Sequence, residues 1–301
     1  MVWSKRMTIA ERFNRFRFRR AVPAVLHTPP VQVGDDDFVL LSMVHHRDVL
    51  PYLLALKSFC RFVKPRRIVV VADPTLDESD RSTLRQHVPQ IEIQDARSFH
   101  TPGIPQGGTW ERLTAIADLA TQNYVVQLDS DTIALRPLPE VLAAIASRVA
   151  FVLGTEDGQV ISSTAEAAAE ARPTVGPGVH VQRLAEAHLD QFDPAGRFRY
   201  TRGCSGFAGF APGTIHRELL HEICRGMEAH LGTRWSDWGT EQFSSNLIVA
   251  SAPGAKVLPH PKYCHPGRMT VETVFLHFIG YIRFTTGLYA RQAREICRAL
   301  N

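Results

Sequence analysis

Short apolar runs alternate with segments of helical periodicity from Phe38 onward. The first run, Phe-Val-Leu-Leu-Ser-Met-Val at 38–44, precedes an amphipathic stretch over about 48–62. A second run at 68–72 stops at Asp73-Pro74, and the helical pattern at 76–87 is closed by Pro89. Residues 91–93 read as a short third strand, and the Pro/Gly-rich stretch 101–108 as a loop. A helix over 110–119 then leads into a strand at 124–128. This alternation predicts a mostly parallel twisted sheet flanked by helices. It continues through a helix at 138–146 and a strand at 150–153, then weakens. Residues 158–202 read as irregular apart from an Ala-rich helix near 162–171. Regularity returns with a strand at 205–211, helices at 214–230 and 241–250, strands at 256–258 and 274–277, and a basic helix from Thr285. There is no internal repeat, so the expected organisation is an N-terminal extension over 1–34 and a single domain over 35–301.

The strand at 124–128 runs directly into Asp129-Ser130-Asp131. A strand end in a parallel sheet opens into the ligand crevice. Two carboxylates there supply hard oxygen ligands for Mg²⁺ or Mn²⁺. The competing reading is a turn, which Asp and Ser also favour.

Six motifs follow one another in order: Trp110-Glu-Arg112-Leu113, Leu128-Asp-Ser-Asp131, Cys204-Ser-Gly-Phe207, Glu241-Gln242 with Asn246, Leu258-Pro-His-Pro-Lys-Tyr263, and His277-Phe-Ile-Gly-Tyr-Ile-Arg283. On these residues the chain resembles the GT-A nucleotide-sugar-dependent glycosyltransferases, in particular the retaining group that includes glycogenin and bacterial lipopolysaccharide galactosyltransferases. The resemblance implies a metal-dependent hexosyltransferase of GT-A fold, using a nucleotide diphosphate sugar, UDP-linked, and a glycan or lipid-linked acceptor. It implies Asp129, Asp131 and His277 as ligands of Mn²⁺ or Mg²⁺. Donor contacts would come from Val44, His45, Arg112, Ser130, Gly280 and Arg283, and acceptor contacts from Cys204, Ser205 and Gly206. Glu241 and Gln242 would lie beneath the anomeric carbon and direct transfer with retention, whereas inversion would need a free carboxylate base, for which Asp237 is the candidate. The chain departs from the family at Cys204 for Asn, Glu241 for Asp, Phe243 for a second acid, and Arg283 for Lys. A neutral thiol cannot replace an amide's hydrogen bonds, so the acceptor is expected to differ from that of the best-known members.

Other readings of the same residues remain. Arg112 as a surface charge, His277 as a core histidine, and a Trp235-Ser-Asp237-Trp238 loop that stacks on a sugar or caps a helix are all compatible with the sequence. Adjacent His45 and His46 point to opposite faces if extended. A zinc hydrolase would group His260, Cys264, His265 and His277, although their spacing is not a standard one. A dinucleotide enzyme would need a G-x-G-x-x-G loop, which is absent. A catalytically inactive nucleotide-sugar-binding protein remains the main alternative.

The net charge of +4 is concentrated at one end: residues 1–20 hold seven basic groups against Glu11 alone. The remainder is slightly acidic, which argues against nucleic acid as a partner. The basic segment is interleaved with Phe13, Phe16 and Phe18, a pattern that suits an anionic membrane face as well as a solvated or loosely packed extension. No run of about 18 apolar residues occurs. The five cysteines are odd in number, widely spaced and without a C-x-x-C pair. That usage points to a reducing compartment, so the expected location is cytoplasmic, with peripheral contact at the inner membrane face.

Overall fold

The computed structural model describes residues 7–280 and 282–301; Lys5 and Arg6 of the basic segment and Tyr281 of the last motif lie outside the described residues. The strands are β1 (Asp36–Val44), β2 (Pro65–Ala72), β3 (Ile91–Asp95), β4 (Val125–Leu128), β5 (Thr132–Ala134), β6 (Phe151–Leu153), β7 (Ser162–Ser163), β8 (Arg199–Tyr200), β9 (Cys204–Phe210), β10 (Lys256–Val257), β11 (Tyr263–Cys264) and β12 (Phe275–His277). The α-helices are α1 (Ile9–Ala21), α2 (Val49–Cys60), α3 (Glu78–His87), α4 (Trp110–Leu119), α5 (Pro139–Ala146), α6 (Thr164–Ala171), α7 (Val181–Glu186), α8 (Leu189–Phe192), α9 (Arg217–Leu231), α10 (Thr240–Ser251) and α11 (Leu288–Leu300).

The central sheet has the order β10-β6-β9-β4-β1-β2-β3. β1, β2, β3 and β4 run parallel, and β9 is antiparallel to both β4 and β6. Strand order reverses between β1 and β4, whose register pairs Val39 with Val125 and Leu41 with Gln127. A reversal of this kind leaves a crevice beyond the carboxyl ends of the two strands. Val44 closes β1 and Asp129 follows β4, so both lie at that end of the sheet. Phe38–Leu41 of β1, Ile68–Val71 of β2 and Val125–Leu128 of β4 are all fully buried.

A smaller sheet of order β11-β12-β5 completes the site. β12 is antiparallel to β5 and sets His277 opposite Thr132. The amide of Phe278 donates to the carbonyl of Asp131 at 2.8 Å, which extends this pairing past the acidic turn. The short strand β5 has no clear sequence signal, and it is the element that brings the two ends of the site together.

The sequence allowed a loosely packed N-terminal extension; within the described residues the structure instead docks α1. The helix begins with a Thr8–Glu11 capping box and buries Phe18 and Ala21. Phe18 stacks on Tyr289 of α11 with centroids 3.9 Å apart, and Tyr289 stacks on Phe278 at 4.1 Å. The Asn14 amide donates to the carbonyl of Phe284.

The segment after α1 is tied down by Lys57 of α2, which is almost fully buried. Its ammonium donates to the carbonyls of Thr28 and Pro29 and to the Thr28 hydroxyl, and it also meets His87 Nδ1. Burial lowers the Lys57 pKa to about 8. The unfolded chain therefore holds the extra proton between about pH 8 and 10.5, and stability contributed by this site rises with pH across that window. Buried groups such as Cys60, pushed up to about 12, act in the opposite sense. Urea unfolding of wild type and Lys57→Met at pH 8 and pH 10 isolates the lysine. The wild-type stability should gain on the variant by on the order of 2–3 kcal/mol, and an equal pH response in the two proteins would reject the shift.

Candidate functional site

Asp129 and Asp131 leave β4, Arg112 comes from the first turn of α4, Glu241 from the first turn of α10, and His277 from the end of β12. Arg112 Nη1 donates to Asp129 Oδ1 at 2.5 Å, while its Nη2 reaches both oxygens of Glu241 at 3.1 Å. One buried guanidinium thus separates two carboxylates and holds them at a set spacing. His277 Nε2 lies 3.0 Å from Asp131 Oδ1 and 3.8 Å from Asp129 Oδ2. Arg283 donates to Asp131 Oδ2 and also faces Asp48 at 3.6 Å.

The ligand atoms of Asp129, Asp131 and His277 all lie within 4.8 Å of one another. Two carboxylate oxygens and an imidazole nitrogen at that spacing suit a divalent cation. The residues present therefore fit the metal. His260, Cys264 and His265 do not join His277 in any such cluster among the described residues. The other group, His46 with Asp77 and Asp80, is more exposed.

Burial raises carboxyl pKa values and lowers those of cations, so the charges here must offset one another. Burial would raise Asp131, but His277 and Arg283 outweigh it and hold the carboxyl at about 2. Asp129 is raised, by burial first and by the Asp131 charge, against the pull of Arg112; its side chain keeps 28% exposure, so solvent softens this rise. Burial also raises Glu241, opposed by Arg112 and Thr109. For Arg112 and His277 burial acts against the charge, but their partners prevail and both pKa values rise.

No protein-family model matches the sequence, and no curated protein matches it. Solved structures do match. The bifunctional glycosyltransferase WbbM in its apo form aligns with 84% of this chain at 15% identity and a TM-score of 0.51, and this chain spans 47% of that one. The fold is that of the GT-A glycosyltransferases. Mouse xyloside xylosyltransferase 1 is also similar, with a TM-score of 0.47 at 13% identity, over 84% of this chain and 99% of that one. So is the galactosyltransferase LgtC in complex with donor and acceptor sugar analogs, with a TM-score of 0.47 at 14% identity, over 88% of this chain and 96% of that one.

Within this GT-A fold the remaining residues singled out from the sequence take the following places. Val44 is buried at the end of β1, and His45 is half-buried with its Nδ1 accepting from the Arg47 amide. His46 turns to Asp80, so the two histidines do diverge. Ser130 is half-buried between the two aspartates, and Gly280 is exposed with open space around it. Ser205 donates to Glu241 Oε2 at 3.3 Å. Gln242 is held between β9 and α7: its Oε1 accepts from the Ser205 amide and its Nε2 donates to Gln182. Cys204 packs behind the histidine, with Sγ 3.3 Å from His277 Nδ1. Trp235 is core, edge-on to Trp110 and Phe243, while Trp238 is 69% exposed. Asp237 is paired with Arg234.

Three contributors escaped the sequence reading. Thr109 sits at φ 75° and its hydroxyl donates to Glu241 Oε2 at 2.9 Å. A β-branched residue in the left-handed region is strained, and such strain tends to be stored at functional sites. The Gly107-Gly108 pair before it was its only signal. Asp48 opens a stretch read as helical and Gln182 lies in the segment read as irregular, where the structure instead forms α7, and nothing marked either residue as part of the site.

Gly206 has a packing reason to be glycine, because a Cβ there would overlap the His277 ring. Gly206→Ala should cost roughly 1–3 kcal/mol by overpacking and displace the imidazole from Asp131. Thermal unfolding with and without Mn²⁺ checks this. A variant as stable as wild type and equally responsive to Mn²⁺ would refute the close packing.

Proposed function

We propose that this protein is a metal-dependent hexosyltransferase, moving a sugar from a nucleotide diphosphate donor, UDP-linked, to a glycan or lipid-linked acceptor with retention at the anomeric centre. The observation that carries this reading is the convergence of Asp129, Asp131 and His277 at the strand-order reversal, flanked by Arg112 and Arg283. We take residues 35–301 as the catalytic unit. The location proposed is cytoplasmic, at the inner membrane face, supported by the basic and aromatic residues of α1.

In this reading Asp129, Asp131 and His277 hold the cation, which when bound supplies Lewis-acid neutralisation of the departing diphosphate. The chain's own groups do the rest. Cys204 accepts from His277 Nδ1 and orients the ring, in the manner of an outer partner of a ligating imidazole. Arg283 has a guanidinium suited to bidentate phosphate contact. Val44 and His45 line the base side and Ser130 and Gly280 the phosphate side of the donor. Cys204, Ser205 and Gly206 are assigned to the acceptor side through the backbone of β9, because the Cys204 thiol and the Gly206 face are taken up by the His277 ring. Arg112, Thr109 and Ser205 aim the Glu241 carboxylate, and Gln242, fixed by Gln182, positions the sugar ring. A carboxylate beneath the anomeric carbon stabilises oxocarbenium-like charge or attacks it.

A thermal-shift panel of UDP, GDP and their sugars with and without Mn²⁺ tests the donor and metal; no metal-dependent shift with any of them would end the proposal. NMR of the product decides the stereochemistry. An α-linked donor should give an α-linked product, with Glu241→Gln more damaging than Asp237→Asn. A β-linked product and the reverse order of damage would replace retention by inversion.

A further inference from the structure

The helix α1 has two apolar faces and only one of them is packed. At 100° per residue, Phe18 and Ala21 point inward to α11, and the opposite side presents Ile9, Phe13 and Phe16 at spacings of four and three residues. These three are 87%, 59% and 54% exposed. A solvated surface helix places polar side chains there instead. Leu26, on the 3₁₀ turn that follows, is exposed as well.

Arginines border this stripe on both sides, and Arg20 stands within it at a phase between Ile9 and Phe13. Arg17 lies over the Phe13 ring at 5.8 Å and Arg20 over Phe16 at 5.5 Å. On the other flank Arg12, Arg15 and Arg19 line a shallow cleft of about 410 Å³ with Met7 and Phe16. The single acid of α1, Glu11, bonds the Thr8 amide at the helix start.

We propose that this outer face of α1 is a docking surface for an anionic lipid bilayer, with Ile9, Phe13 and Phe16 inserted at the headgroup level and the flanking guanidiniums on lipid phosphates. The proposal deepens the membrane-proximal part of the proposed function and does not rest on its chemistry. Two features single out a bilayer. Pairing of this face with a second copy would set arginine against arginine, and a nucleic acid would satisfy the guanidiniums while leaving the apolar stripe in water. A bilayer interface takes both at once. The inner face gives the surface a rigid base, since the Phe18–Tyr289–Phe278 stack fixes α1 to the segment that carries His277 and Arg283.

The test is co-sedimentation of the full chain with phosphatidylcholine vesicles, plain or containing one third phosphatidylglycerol, at low and high salt. Wild type should bind the phosphatidylglycerol vesicles and not the plain ones. Each of Arg12→Gln, Arg15→Gln and Arg19→Gln should weaken binding about fivefold at low salt. The pair Phe13→Ser and Phe16→Ser should weaken it by on the order of tenfold or more at either salt. These side chains are exposed, so melting temperature and nucleotide-dependent thermal shift should stay at wild-type values, which separates failure here from failure of the transferase reading. The proposal falls if phosphatidylglycerol makes no difference, or if binding ignores the two phenylalanines and so reports charge alone. It falls equally if sedimentation of the free protein shows a dimer that the phenylalanine substitutions dissociate.

Discussion

Asp131→Asn is expected to abolish Mn²⁺-dependent stabilisation by nucleoside diphosphates. At a nucleotide concentration 100 times its Kd, wild type should gain about 2.7 kcal/mol over the ligand-free protein, and the variant close to none. Two carboxylates next to a diphosphate repel it unless a cation lies between them, and Asp131 is the one bonded to both His277 and Arg283. The substitution keeps side-chain shape, and Asp48 still faces Arg283. UDP or GDP protecting the variant as well as wild type, with EDTA without effect on either, would show that nucleotide binding does not use a metal held at Asp131.

The largest stability effect should come from Arg112→Met. Its guanidinium is buried between Asp129 and Glu241, and removing one partner of a buried pair leaves an uncompensated charge at a cost of about 3–5 kcal/mol. Glu241 should suffer most, because its side chain is only 3% exposed whereas Asp129 retains contact with water. Arg112→Lys should rescue little, since a single ammonium cannot reproduce the fork that spans both carboxylates. Adding Glu241→Gln to Arg112→Met should recover part of the loss, because the stranded charge is then gone. A strictly additive double variant in urea unfolding would mean that the two side chains do not interact as the distances require.

Both expectations rest on residues visible in the sequence, but legibility differed from one to the next. Asp129 and Asp131 stood out because a continuous apolar strand runs straight into them. Arg112 and Glu241 were visible only as members of ordered motifs, and nothing local said that they touch across 129 positions. Thr109 was hidden in a loop because positive φ is a backbone property that a threonine does not announce. The docking of α1 was missed because Phe13, Phe16 and Phe18 look alike in sequence, and only helical phase decides that Phe18 turns inward. Trp235 and Trp238, three residues apart, likewise divide into core and surface.

What the sequence by itself determined is the alternation of strand and helix over residues 38–128 and 138–153, the acidic turn after β4, and the ordered motifs that carry the GT-A resemblance. Those features are local: apolar runs, helical periodicity, and turn residues act within one or two elements. Only the tertiary structure decided that β5 pairs with β12 and so seats His277 beside Asp131, that Arg112 is shared by two acids, and that Gly206 makes room for the imidazole. The first of these outcomes depends on strand pairing between segments more than a hundred residues apart. Such pairing is selected by burial and register over the whole sheet, not by any residue's own preference.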